Sequence, residues 1–145
     1  MQTLGFFFLM FLGGIAVAVQ PSINGRLSQK IGAVETATIS FAVGTLALLV
    51  VALVAGRGSF RGLAEARAWE LTGGFLGAFF VTLTIIIVPR IGTASTMAAT
   101  IAAQLITGIL LDHYGLFGFR TIPFDLKRAL GVALLLVGAT LLFRR

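Results

Sequence analysis

The sequence predicts an all-α integral membrane protein with five transmembrane helices, and three observations carry that prediction. Hydrophobic residues make up 58% of the 145-residue chain against 11% charged, and the mean hydropathy is +1.05. A soluble domain of this size has too much surface for its volume to keep so much apolar area out of water. The apolar residues are gathered into charge-free stretches of membrane-crossing length, and Lys and Arg stand in ones and twos between them. A barrel would instead show ten-residue segments of alternating polarity.

A helix crossing ~30 Å of hydrocarbon needs about 20 residues. The charge-free stretches are 1–25, 36–56, 71–89, 91–111 and 129–143, which predicts spans at about 3–24, 35–56, 70–89, 91–112 and 127–143 in a single domain, 1–145. The first run has no preceding Lys or Arg and no small-residue cleavage site, so it is expected to stay as a span and not be removed as a signal peptide. The second lies between Glu35 and Arg57, and the third opens beside Trp69, a side chain suited to the membrane interface. Arg90 alone separates the third from the fourth. The fifth is short, but Lys127, Arg128, Arg144 and Arg145 flank it and can snorkel to the headgroups. Asp125 suits the start of that helix, where the dipole favours an acid. The connections leave no room for a soluble domain, and no internal repeat is read.

Several functions are excluded by composition. The net charge is +6, but the eleven Lys and Arg form no basic stripe, which argues against nucleic acid as a partner. With no cysteine there is no disulfide, thiolate metal site or cysteine nucleophile. One histidine, no Gly-x-Ser-x-Gly, no phosphate loop and no paired acids at mid-membrane point away from an enzyme, and nothing implies a cofactor or a metal.

Five spans put the termini on opposite sides. One side collects six basic residues (Arg57, Arg61, Arg67, Arg120, Lys127, Arg128) and the other five (Arg26, Lys30, Arg90, Arg144, Arg145). Orientation follows the Lys/Arg excess, and a difference of one gives almost no instruction. Either the N-terminal side is cytoplasmic, with Arg26 and Arg90 partly buried, or the chain inserts both ways and opposite copies pair, as inverted repeats do in transporters. The second is the expectation. Small residues spaced for close helix contact, among them Gly73-xxx-Gly77, Gly14-xxx-Ala18, Ser40-xxx-Gly44, and Gly131 with Gly138, indicate a packed bundle.

Polar residues inside the spans give the candidate site. On the fourth, Thr93, Thr96, Thr100, Gln104 and Thr107 line one face, with Gln104 near the middle. Either this face lines a pore or pocket, or the threonines bond back to their own helix and Gln104 glues two helices. The stretch VQPSINGRL at 19–27 carries Gln20, Ser22, Asn24 and Arg26, and Pro21 removes a backbone donor. If the helix continues, Gln20 and Asn24 share a face and freed carbonyls line a cavity; if it ends, Asn24-Gly25 forms a turn. Arg26 offers a fixed cationic fork for an anion, unless Glu35 neutralises it. Glu35, Glu70 and Asp112 all sit at span ends, which argues against a cation carrier built on a buried acid. With His113 they are expected to gate or to organise helix ends. Asp112-His113 closes the fourth span, either as a helix-end organiser or as a pair that responds to protons. The substrate-binding candidates are Gln20, Asn24, Arg26, Thr100 and Gln104, for a neutral or anionic solute.

The chain resembles, end to end, the YdcZ-like proteins, a small five-helix branch of the drug/metabolite transporter superfamily of bacterial inner membranes. The resemblance rests on QPSINGRL, SFAVGTLAL, WELTGGFLGAFFVT, VPRIGTA and, most specifically, AAQLITGILLDHYGLFG. The family often has Gly where Ala103 precedes Gln104 here. The resemblance implies two five-helix units packed antiparallel into a ten-helix transporter fold. The leading expectation is a small-solute secondary transporter, an exporter, in which one copy rocks against the other to alternate access. The competing expectation is a non-transporting membrane assembly subunit, with a lipid flippase between the two. The bilayer, a solute and an inverted copy of the chain are the expected partners.

Overall fold

The structure is a computed structural model that describes residues 2–118 and 120–142. It contains α1 (Gln2–Ile31), α2 (Ala33–Ala55), α3 (Gly73–Ile91), α4 (Thr93–Tyr114) and α5 (Leu126–Leu142). Tight 3-10 turns occupy Phe60–Glu65, Ala68–Leu71 and Leu116–Gly118, and no strand occurs among the described residues. Four helical stretches are long and apolar enough to cross a membrane: Thr3–Ile31, Ala33–Ala55, Ala68–Ile91 and Thr93–Tyr114. α5 has 17 residues. The expected last residue of the fifth span, Phe143, and the flanking Arg144 and Arg145 lie outside the described residues. The chain forms two compact units, Met1–Arg90 and Ile91–Arg145.

In the first unit, α1 runs seven residues beyond the end expected at 24 and stops at Ile31. Asn24-Gly25 is therefore helical and no turn forms there. Pro21 removes one rung of the backbone ladder, but its ring is fully buried; Pro89 also lies inside a continuous helix, α3, with its ring exposed. An apolar medium supplies no water to compete for the neighbouring backbone groups, so one missing bond does not stop the helix. α1 and α2 form an antiparallel pair joined by Gly32 alone. Against them α3 packs Val81 and Ile85 onto Ala37, with Ala33 and Phe80 at the edge. Two glycines set the closest approaches: a methyl group at Gly25 would lie 3.4 Å from the Pro89 ring, and one at Gly77 would lie 3.3 Å from the Phe41 ring. The other small residues expected to mediate packing behave differently. A methyl at Gly14, Gly44, Gly73 or Gly74 would meet nothing within 4 Å.

In the second unit α4 and α5 run antiparallel. The Ser95 hydroxyl, at the start of α4, donates to the Leu142 carbonyl at the end of α5 (3.2 Å), and Arg128 meets Asp112 at the opposite ends. α4 closes on Gly115 in the left-handed conformation (φ 59°), whose N–H reaches the carbonyls of Asp112 and Leu111. α5 starts on Asp125, whose carboxylate accepts from the Arg128 N–H (2.8 Å) as the sequence suggested.

A short repeat escaped the sequence reading. Lys30-Ile31-Gly32 ends α1, and Arg90-Ile91-Gly92 lies at the end of α3, each followed by Thr four residues after the glycine. Gly32 (φ 93°, ψ 161°) and Gly92 (φ 83°, ψ 159°) share a backbone conformation almost closed to other residues. Both glycine carbonyls accept from the threonine N–H (3.2 Å) and from its hydroxyl, at 2.7 Å for Thr36 and 2.8 Å for Thr96. Both threonines are buried. Three matched positions in seven are too few to stand out in so apolar a sequence; the geometry makes them visible. We expect Gly92→Ala to destabilise the protein by about 1–3 kcal/mol through backbone strain alone. Gly5→Ala, in open helical surroundings on α1, is expected to be neutral or slightly stabilising. Thermal unfolding in detergent measures both.

Candidate functional site

Because α1 is continuous through Pro21, its residues advance by about 100° each. Gln20 and Asn24 therefore share one face, and Arg26 lies about 200° round from Asn24. Gln20 is exposed. Asn24 is buried, and its amide Nδ2 donates to the Ser40 hydroxyl on α2 at 3.2 Å. Arg26 is exposed on the other face and lines an open groove of about 610 Å³ with Ser22, Gln29 and Lys30, walled by Val88 and Pro89 of α3. Of these groove residues only Arg26 was singled out as a candidate from sequence. The spacing of 22, 26, 29 and 30 is the helical signal that would have found the rest, once the helix was known to reach Ile31.

The polar face of α4 divides in two. Thr96 and Thr100 donate to the carbonyls of Gly92 and Thr96, at 2.8 and 2.9 Å, and so serve their own helix. Gln104 is exposed. It lines a groove of about 370 Å³ between α4 and α5, where Gly108 and Asp112 continue its face and Arg128 and Gly131 stand opposite. Gln20, Asn24 and Arg26 thus belong to the first unit, and Thr100 and Gln104 to the second.

The acids and the histidine sit at helix ends. The Glu35 carboxylate folds against Gly32. It forms no ion pair with Arg26; the one salt bridge among the described residues is Arg128–Asp112, at 3.0 Å and partly exposed. Glu70 accepts from the Arg67 N–H (2.7 Å) and caps the turn that leads into α3. The Asp112 carbonyl accepts from the Ile122 N–H at 2.9 Å, and His113 Nδ1 accepts from the Phe124 N–H at 3.2 Å. The Asp-His pair therefore fastens the connection after α4 back onto the helix end. No group of three or more metal-ligating side chains occurs among the described residues.

Several helices long and apolar enough to cross a membrane define a multi-pass membrane protein. Residues 5–141 match the family described as "Putative inner membrane exporter, YdcZ". The inner membrane protein YdcZ of Escherichia coli (strain K12) is 34% identical over 154 residues, an alignment covering 99% of this chain and 97% of that protein. No solved structure matches. The chain belongs to the YdcZ family and is a multi-pass protein of the bacterial inner membrane.

The Asn24–Ser40 bond makes a prediction separable from any solute role. Asn24→Ala and Ser40→Ala should each destabilise the purified protein, and a double-mutant cycle by thermal unfolding should give a coupling of about 0.6 kcal/mol, typical for polar pairs between membrane helices. Additive effects would mean that the bond contributes nothing.

Proposed function

We propose that this protein is a small-solute secondary transporter, working as an exporter and built from two oppositely inserted copies. Gln104 carries the reading. It stands eleven residues into α4 from Thr93 and ten before Tyr114, exposed on a helix otherwise apolar enough to cross the membrane. A primary amide is costly to leave against hydrocarbon, so a solute or another protein surface is expected to meet it. The exporter description of the family supports the class. In this reading α5 is the fifth span, with Lys127 and Arg128 snorkelling at its short end. The open small-residue faces at Gly14, Gly44, Gly73 and Gly74 give an inverted copy surfaces on which to pack.

Solute contacts are assigned to Gln20, Asn24 and Arg26 on α1 and to Thr100 and Gln104 on α4, for a neutral or anionic solute. Asn24 would reach solute only by exchanging its Ser40 partner. Rocking one copy against the other would alternate access, and Glu35, Glu70, Asp112 and His113 would hold or gate the helix ends. A non-transporting assembly subunit, the second reading, draws on the same threonines and Asn24, whose bonds within the chain are those of structural polar groups.

Purified protein in liposomes should transport a solute identified by thermal-shift screening. Gln104→Leu should abolish that flux while expression and the dimer persist; loss of the folded dimer would assign Gln104 to helix glue. C-terminal reporters active on one side only should both score in the same cells, and a one-sided result would remove the inverted homodimer.

A further inference from the structure

We propose that the groove at the C-terminal end of α1 binds a phosphate oxyanion. Two cationic side chains, Arg26 and Lys30, line it one turn apart, about 6 Å along the helix axis. Like charges at that spacing repel, and no carboxylate lines the groove to offset them. The nearest acid in sequence, Glu35, is turned onto Gly32. The salt bridge of the described residues lies in the other unit, between Asp112 and Arg128. A helix C-terminus attracts cations, which accounts for Lys30 in the last turn of α1, but the effect fades before Arg26. The pair therefore presents positive charge that nothing in its own groove balances.

The chemistry of the groove fits a phosphate better than a carboxylate. The planar guanidinium binds two oxygens of an oxyanion in a fork, and the neighbouring amine adds a point charge for a further oxygen or a second negative charge. A carboxylate would be satisfied by the arginine alone. Gln29 adds an amide on the same face, while Val88 and Pro89 form an apolar wall. At about 610 Å³ the groove is in the range of small-molecule sites and much larger than bare phosphate. The ligand is thus a phosphate joined to an apolar body, and either an anionic lipid headgroup or a soluble phosphate ester supplies it. The proposal deepens the transporter reading at one residue it shares, Arg26, but the claim is one of binding.

The full-length protein in neutral detergent is titrated with inorganic phosphate at constant ionic strength, read by thermal unfolding, with acetate as the control. In parallel, native mass spectrometry compares retention of phosphatidylglycerol and phosphatidylcholine from mixed vesicles. Wild type should respond in at least one arm: phosphate alone points to a soluble ligand, and preferential retention of phosphatidylglycerol to a headgroup. Arg26→Gln and Lys30→Gln should each weaken binding about tenfold, and the double change should abolish it. Arg26→Lys, which keeps the charge, should bind better than Arg26→Gln. A response matched by acetate, no response in either arm, or unchanged binding by the double variant would overturn the proposal, as would equal loss in Arg26→Lys and Arg26→Gln. Binding is read here without any flux, so the site can stand if flux is never found and transport can stand if the site fails.

Discussion

The constraint on which the rest of the structure depends is that backbone N–H and C=O groups inside a bilayer must find partners within the protein. It explains why α1 and α3 run through Pro21 and Pro89 instead of breaking there. It also explains the corners. At Gly32 and Gly92 the chain turns from one helix into the next across a single residue, and each glycine carbonyl takes both an N–H and a buried hydroxyl from the threonine that follows. The same junction thus closes two helix ends with groups from the chain itself.

Once the backbone is satisfied, the polar side chains sort by whether they serve it. Thr36, Thr84, Thr96 and Thr100 return their hydroxyls to their own helices. Asn24 ties α1 to α2. Gln20, Arg26 and Gln104 do neither and are exposed, which is why they carry the functional proposals. The unequal treatment of residues that look alike in sequence is what a structure adds here.

The helical class was legible because hydropathy and spacing follow directly from the thickness of the bilayer, and the family was legible in contiguous motifs such as AAQLITGILLDHYGLFG. The end of α1 was not. Pro21, Asn24 and Gly25 each favour a break locally, and only the burial of the proline ring and the packing of Gly25 on Pro89 reverse that preference. With the end of α1 open between those two readings, the helical grouping of Arg26 with Gln29 and Lys30 stayed concealed. The side-chain roles of Thr100 and Glu35 were open in sequence because a hydroxyl or a carboxylate can turn inward or outward without changing any spacing.

The extended α1 then allows one helix to do two separate jobs. With Arg26 about 200° from Asn24, the face that locks α1 to α2 is insulated from the face that carries positive charge. In a flexible loop, Arg26 and Lys30 could separate or reach Glu35 and cancel; on a helix their backbone spacing is fixed, so the two side chains start one turn apart. Backbone entropy that a loop would lose on capturing an anion is already spent in forming the helix. A rigid cationic face beside an apolar wall can therefore select a ligand of matching charge and shape, whereas a mobile basic loop would attract any anion nearby.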